Sequence, residues 1–428
     1  MPDPSSVIEI FIYDYFMSGS SYFDYKYMQN LLVINKQVNL ENMLLQDKQV
    51  AIIGGGPGGL TLARLLQQTG VNVKVYERDA DQYFRQQGAT LDLHYESGLK
   101  ALRACGLMDE FEKHYRPGAE RVTIVDNNAV VYYTEQNKAP VINLNDEHAR
   151  PEIDRGPLRD LLIASLQAGT MVWNAKFVEL TAMGEGWNMI FEDGTTAYAD
   201  LVIAADGANT KIRKYITHIP RIYSGSTIVE GNIYNAAMNA PGLWKLTNGG
   251  KVFAHWNGKT IVLSAKGEGS LSFYTITKES ESWVIAPGIN FNTKEEVFTW
   301  FKQCYADWSN HWHEIFSTDE SYFVHRPQYY YPSNQTWTSL VNLTMLGDAA
   351  HQTPPSGDGV NQAMLDAVDL HEAFFLKNSS SVQEAIAVFE KKMLNRTSLA
   401  TNEAMQLVDA MLSEDNLQFM VDFFNDLK

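Results

Sequence analysis

The clearest hydrophobic pattern in the first half of the chain is the continuous apolar run Val50-Ala51-Ile52-Ile53, which closes a stretch begun at Lys48. Four apolar residues in a row predict a parallel strand buried on both faces, because a strand with one wet face would alternate. A glycine-rich turn follows, Gly54-Gly55-Gly56-Pro57-Gly58-Gly59. Leu60, Ala63 and Leu66–Gln67 then recur at helical spacing until Gly70 supplies a left-handed stop. Val71 to Tyr76 predicts a second strand and delivers Glu77, 18 residues after Gly59.

Two later apolar strands are punctuated in the same way. Ala199 to Ala205 ends at Asp206-Gly207-Ala208-Asn209, and Val341 to Leu346 ends at Gly347-Asp348. Beyond Pro354-Pro355 and Gly357-Asp358, a helix is expected from about Gly359, with Val360, Ala363, Met364 and Ala367 at i, i+3, i+4 and i+7. Between these strands lie alternating runs, Lys251 to Trp256, Thr260 to Leu263 and Ser270 to Thr277. They predict a mostly antiparallel sheet with one buried face. The stretch from Val382 to Leu427 is helical by pattern, with Ile386, Phe389 and Met393 followed by Met405, Val408, Met411 and Leu412.

The length of 428 residues exceeds what a single core usually serves, so more than one domain is expected. A formal charge of −17 disfavours nucleic acid and anionic membrane as partners, since both call for basic surface. The two cysteines, Cys105 and Cys304, form neither a disulfide framework nor a metal-ligand spacing, and they read as thiols of a reducing cytoplasm. Residues 1–46 stand apart. Ile8 to Tyr27 is crowded with Phe and Tyr but broken by Asp14, Gly19, Ser20, Asp24 and Lys26. It has no basic leader region and no apolar run near the roughly 20 residues of a membrane span. Two readings stay open for it: an extension outside the catalytic fold, or an upstream start ahead of Met43.

The first strand, turn, helix and second strand give G-x-G-x-x-G in the context that lends it meaning. Gly54 permits the tight turn, Gly56 lets backbone approach a pyrophosphate, and Gly59 allows close helix–strand packing. The helix N-terminus offers free N–H groups and partial positive charge, and Glu77 is placed to accept from ribose hydroxyls. A Rossmann-type dinucleotide site is therefore expected. Only one such fingerprint occurs, so no separate nicotinamide domain is implied. Asp348, at the end of its strand, suits a ribityl chain or ribose, and the helix from Gly359 suits the flavin pyrimidine edge.

Gly54–Gly59, Asp206-Gly207 and Gly347-Asp348, in this order, resemble the group A FAD-dependent monooxygenases, the aromatic-hydroxylase family. The closer resemblance is to the TetX-like tetracycline-inactivating enzymes. It is carried by Val75 to Asp79, Gly88 to His94, Pro151 to Arg155 with Leu158-Arg159, Ala199 to Ile203, and Gly347 to His351. The resemblance implies an α/β fold: a Rossmann-type FAD-binding domain, a mostly antiparallel β-sheet substrate domain and C-terminal helices. The expected partition gives FAD-binding segments at 47–115, 151–215 and 336–375, substrate-domain segments at 116–150 and 216–335, and helices at 376–428. The implied FAD-binding set is Gly54, Gly56, Pro57, Gly59, Glu77, Arg78, Arg85, Arg159, Asp206, Asp348, Pro355, Gly359, Val360 and Asn361. Arg159 is expected on a helix that Pro157 starts at its first position.

In such enzymes the flavin carries the hard chemistry. NADPH or NADH reduces FAD, O2 adds to give a C4a-hydroperoxide, and oxygen passes to an enol- or phenol-like carbon. The protein places the substrate and excludes water, so no catalytic side chain and no metal are expected. A monomer acting on a small molecule is implied.

This chain departs from the family in its loop after Pro354-Pro355. Ser356-Gly357-Asp358-Gly359 is one residue shorter than the usual x-A-G-Q-G and puts Asp where Gln is usual. A carboxylate there would disfavour an anionic ring unless it points away or is protonated. At the substrate positions held by Gln, Arg and His in TetX-like enzymes, the chain has Glu230, Lys251 and Ser272. Glu230 and Lys251 would pair across the pocket, serve a different ligand, or sit as ordinary strand residues. Three readings follow: oxygenation of tetracyclines, the same chemistry on another aromatic or polyketide substrate, or an FAD-binding redox protein that no longer oxygenates. His311-Trp312-His313 looks metal-like, but i and i+2 residues on a helix point apart.

Overall fold

The computed structural model describes residues 44–84, 88–140, 143–320, 322–375 and 379–426. The extension expected over residues 1–46 falls almost wholly outside them. Asp47–Lys428 form one compact unit.

The chain opens on strand β1 (Gln49–Ile53), helix α1 (Pro57–Gln68) and strand β2 (Asn72–Tyr76). Then come β3 (Leu91–Asp92), α2 (Gly98–Cys105), β4 (Val122–Val125), β5 (Val131–Thr134), β6 (Glu152–Ile153) and α3 (Arg155–Ala164). Strands β7 (Met171–Val172), β8 (Phe177–Met183), β9 (Gly186–Phe191), β10 (Thr196–Ala199) and β11 (Leu201–Ala204) complete the first half. The second half holds β12 (Ile222–Ile233), β13 (Lys251–Trp256), β14 (Lys259–Ala265), β15 (Leu271–Lys278), β16 (Phe323–Tyr330) and β17 (Leu343–Met345). The principal helices that follow are α4 (Gly359–Phe375), α5 (Val382–Met411) and α6 (Asn416–Asp426).

Strands β17-β11-β1-β2-β7 form a five-stranded sheet in which every pairing is parallel. Val50, Ala51, Ile52 and Ile53 are each 2 % exposed or less, as a doubly covered central strand requires. Strands β10-β9-β8 make a separate antiparallel sheet, and β3 pairs with β6 in a two-stranded ribbon.

The second large sheet has the order β16-β12-β15-β14-β13-β4-β5 and is antiparallel except between β13 and β4. Val252, Ala254, Ile261, Leu263 and Phe273 lie on one face, packed with Val297, Phe301 and Trp312 from the helical segments that precede β16. The mostly antiparallel sheet expected from the alternating runs is thus present, with one face closed by its own helical layer. The other face is shared: Phe253, Val262 and Ile276 pack with Met411 and Met420 of α5 and α6, while Ser264 and Tyr274 touch Thr90 and Ala89.

Two local expectations shift. Helix α3 begins at Arg155 after Asp154, so Pro157 stands in its third position rather than its first. Proline is tolerated there because the first-turn N–H groups have no partner inside the helix. The C-terminal pattern resolves into one 30-residue helix and a second helix of 11 residues. Among the described residues, no helix is long and apolar enough to cross a membrane and no His, Cys, Asp and Glu group is arranged to hold a metal.

Candidate active site

The turn after β1 is built around contacts that only glycine permits. Gly54 has φ +112°, and a Cβ on it would stand 2.2 Å from the Ala205 carbonyl oxygen; one on Gly59 would stand 2.3 Å from the Gly54 oxygen. Gly56 differs, because a Cβ there would meet nothing within 4 Å. It is the N-cap of α1, has no side-chain cap, and is followed by Pro57 at the first helical position. An uncapped helix N-terminus opening on space is a ready site for a phosphate.

Glu77, at the end of β2, accepts from Gly55 N at 2.8 Å and from Asp79 N at 3.1 Å. Arg159 reaches the same place from α3. Its Nε donates to Gly55 O at 3.2 Å, Nη1 to Gln82 O at 3.1 Å and Nη2 to Asp79 Oδ2 at 3.2 Å, with Glu77 Oε2 3.8 Å away. Arg159 therefore braces the fingerprint turn from behind, and its donors are spent largely on protein. Arg78 is exposed, and its charge acts on Asp206. Arg85 lies outside the described residues.

Asp206 follows β11. Its Oδ2 accepts from Lys211 N at 3.0 Å, while its buried Oδ1 has no partner. Burial raises its pKa against the hydrogen bonds from Thr210 and Lys211. Asp348 stands after β17 and is exposed, yet enough protein surrounds it to push its carboxyl upward, opposed by the charges of His351 and Arg155. Gly347 N donates to Asp366 Oδ2 at 2.8 Å, and Asp366 also meets His351 Nε2 at 2.5 Å and Arg396. Burial would raise Asp366, but His351, Arg396 and Gly347 N together bring it below the usual carboxylate range. The turn that presents Asp348 is thus anchored by a buried cluster invisible in local sequence.

Gly359 starts α4, and a Cβ on it would lie 3.7 Å from Asp348 Oδ1. Val360 and Pro355 are half-buried beside it. The Asn361 side chain is committed to protein: Nδ2 donates to Asp92 O at 2.9 Å, and Oδ1 accepts from His94 N and Gly98 N at 2.9 and 3.2 Å. Asp358 reaches Gln362 and His94, with Oδ2 2.5 Å from Gln362 Nε2 and Oδ1 3.5 Å from His94 Nδ1. Burial raises its pKa.

The three candidate substrate residues share one face of the seven-stranded sheet. The register places Lys251 beside Ser264, Ser264 beside Ser272 and Ser272 beside Asn232, with Tyr274 and Glu230 in the next row. This face meets the FAD half, since Thr90 Oγ1 lies 3.0 Å from Ser264 Oγ and Ala89 N donates to the Tyr274 hydroxyl at 3.0 Å. Glu230 and Lys251 do not pair with each other. Three strand spacings separate them, roughly 14 Å. Glu230 instead pairs with Arg326 Nη2 at 2.5 Å, and Lys251 with Glu152 of β6. The sequence reading missed Glu152, Arg326 and Arg155, whose Nε donates to Ala89 O at 3.1 Å and whose charge reaches Asp348 and Tyr274.

A parallel sheet with its strand ends at Gly54, Asp206 and Asp348, roofed by the polar face of a second sheet, defines a dinucleotide-binding oxidoreductase. The uncapped start of α1, the open space at Gly56 and the unpartnered Asp206 Oδ1 fit FAD. Residues 47–386 match the family described as FAD binding domain, and the chain belongs to that family. Among curated proteins it is similar to monooxygenase asqM of Emericella nidulans, 26% identical over 403 residues, covering 81% of this chain and 89% of the relative. The structure of Klebsiella pneumoniae HpxO complexed with FAD and uric acid superposes with a TM-score of 0.70 at 20% identity, over 90% of this chain and 94% of that one. That of the tetracycline destructase Tet(55) gives 0.68 at 18% identity, over 86% and 90%. The chain is an FAD-dependent monooxygenase in class.

Proposed function

We propose that this protein uses FAD, electrons from NADPH or NADH, and O2 to hydroxylate a polycyclic enol- or phenol-type substrate, with tetracycline-type compounds as its first candidates. The observation that carries this reading is the polar row Lys251, Ser264, Ser272 and Asn232, on a sheet face that touches Ala89 and Thr90 of the FAD half. A ring system carrying several oxygens matches a row of hydroxyl and amide groups better than an apolar lining would. Bound FAD supplies the redox and oxygen-transfer chemistry.

The chain's own residues do the rest. Glu77 and the N–H groups of α1 hold the adenosine and pyrophosphate end, Asp348 the polyol, and the start of α4 the negative end of the ring system. Lys251 and Arg326 each carry a carboxylate partner, so the roof presents paired charges with spare donors. Such a roof suits a neutral or zwitterionic substrate over a simple anion. The similarity to Tet(55) supports testing tetracycline first.

The test is aerobic incubation of the FAD-loaded protein with NADPH and tetracycline, read by mass spectrometry. A product heavier by one oxygen, absent without enzyme or NADPH, supports the reading. Unchanged tetracycline beside normal flavin reduction moves the reading to another polycyclic substrate.

A further inference from the structure

Asp358 immediately precedes α4, and the first residue of that helix borders the Asp348 carboxylate. His94 lies between Asp358 and Asp92. Its Nδ1 is 3.5 Å from Asp358 Oδ1 and its Nε2 is 3.0 Å from Asp92 Oδ2. The arrangement is locked from the backbone side, because Asn361 Oδ1 accepts from His94 N and Asn361 Nδ2 donates to Asp92 O, both at 2.9 Å. Those bonds hold the backbone of residues 92–94, and so the segment that carries the imidazole, against the helix start. Gln362 fixes the other Asp358 oxygen, and Arg396 Nε holds Gln362 Oε1 at 2.7 Å.

An imidazole between two carboxylates donates to both only when doubly protonated. With one N–H it donates to one carboxylate, and the other must bring its own O–H. The two arrangements differ by one proton, on His94 Nδ1 or on Asp358 Oδ1, and have the same total charge. The two aspartates are not equivalent. Burial works against the Asp92 charge, but the His94 hydrogen bond and the charges of Lys251, His94 and Arg150 hold its carboxyl at about 2. Burial pushes Asp358 up, and the Asp92 charge adds to that, against Gln362, His94 and Arg150. Further out, Glu152 faces Lys251, while His351, Arg155 and Asp366 act on the adjacent Asp348.

Resting on the FAD reading above, we propose that Asp92, His94 and Asp358 form a proton relay in which the 3.5 Å ion-pair contact between His94 Nδ1 and Asp358 Oδ1 closes to a hydrogen bond, and a doubly protonated His94 passes its Nδ1 proton to Asp358 Oδ1, when negative charge builds on a cofactor at the N-terminal end of α4. One N–H bond breaks, one O–H bond forms, and no outside donor is consumed. The carboxylate beside the new charge becomes a neutral carboxyl, and the partial positive charge of α4 then acts without a competing anion. Asp92 is the positioning residue, because it keeps the remaining proton on Nε2.

The test uses the full chain loaded with FAD and reduced anaerobically by light with a sacrificial donor, so neither substrate nor nicotinamide enters. Reduced-minus-oxidised infrared spectra are expected to show a protonated-carboxyl band that is lost in Asp358→Asn and in His94→Gln. The flavin midpoint potential is expected to rise in Asp358→Asn, which removes the anion, and to fall in His94→Gln, which strands it. Asp358→Gln serves if Asp358→Asn does not fold. A band missing from the FAD-loaded wild type, or persisting in either variant, overturns the relay and leaves the FAD reading standing. Failure of the chain to take up FAD at all overturns both.

Discussion

Lys251 of β13 forms an ion pair with Glu152 of β6, and Glu152 is 1 % exposed. Through this pair the roof over the cleft is joined to the ribbon that carries Asp92. Removing one partner from a buried pair leaves an uncompensated charge, at a cost of about 3–5 kcal/mol. Lys251→Met alone should lose that much in urea unfolding. The double variant Lys251→Met with Glu152→Gln should recover most of it, and a double variant no better than the single one contradicts this account.

The glycines of the fingerprint turn should separate stability from ligand binding. Gly59→Ala drives a Cβ into the Gly54 carbonyl and should destabilise the apoprotein by about 1–3 kcal/mol, as overpacking does. Gly56→Ala meets no protein atom, so its apoprotein melting temperature should match the wild type. Its FAD affinity should nevertheless fall, because the new methyl stands where the pyrophosphate approaches. Thermal melts without FAD and fluorescence titration with it read the two effects apart.

Arg159 lies against Asp79 and Glu77, all three buried. Arg159→Ala should cost about 3–5 kcal/mol by withdrawing the cation from two buried carboxylates. Arg159→Lys should restore little, since one ammonium cannot serve Gly55 O, Gln82 O and Asp79 in the planar fork the guanidinium uses. Chemical denaturation of both variants checks this, and full rescue by lysine would count against the fork.

Acid sensitivity should come in part from two histidines, His255, which is buried, and His371, which is half-buried. Burial lowers His255 to about 3 and His371 to about 4, so both are neutral in the folded chain at pH values where the unfolded chain protonates them. Their contribution to stability is intact above the unfolded value near 6.5, and it is lost as pH falls from there toward 4 for His371 and toward 3 for His255. Each adds a slope of about 1.4 kcal/mol per pH unit in that window. His255→Asn should flatten the slope by that amount between pH 6 and pH 4, measured by urea titration at each pH.

Much of the cofactor half was legible because its signals are local. The apolar run at Val50–Ile53, the glycine spacing and Glu77 sit within one strand–turn–helix–strand unit, and the structure reproduces each element within a residue or two. Asp348 was legible as the end of an apolar strand. The Asp366 cluster that pins it was only half legible: Gly347 and His351 lie in the recognised segment, but Asp366 and Arg396 come from α4 and α5 and carry no motif. The partners of the roof residues were hidden for a related reason. Register decides that Lys251 and Glu230 are three strands apart, and alternation along a strand gives a face without giving a neighbour. Asp358 illustrates the limit from the other side. Its departure from the family pattern was plain in the sequence, but its orientation toward His94 depends on Asn361 tying residues 92–98 to α4.

The order β17-β11-β1-β2-β7 brings Leu343–Met345 beside Leu201–Ala204, with five of the seven roof strands, β12 to β16, threaded between them in the chain and the other two, β4 and β5, already made. A ribosome releases the fingerprint turn early, yet the strand that ends at Asp348 emerges only after the roof has been made. No shortened product ending before β17 can assemble the parallel sheet in full. Such a product also lacks Asp348 and the start of α4, so it carries the fingerprint turn without the other end of the candidate cofactor site.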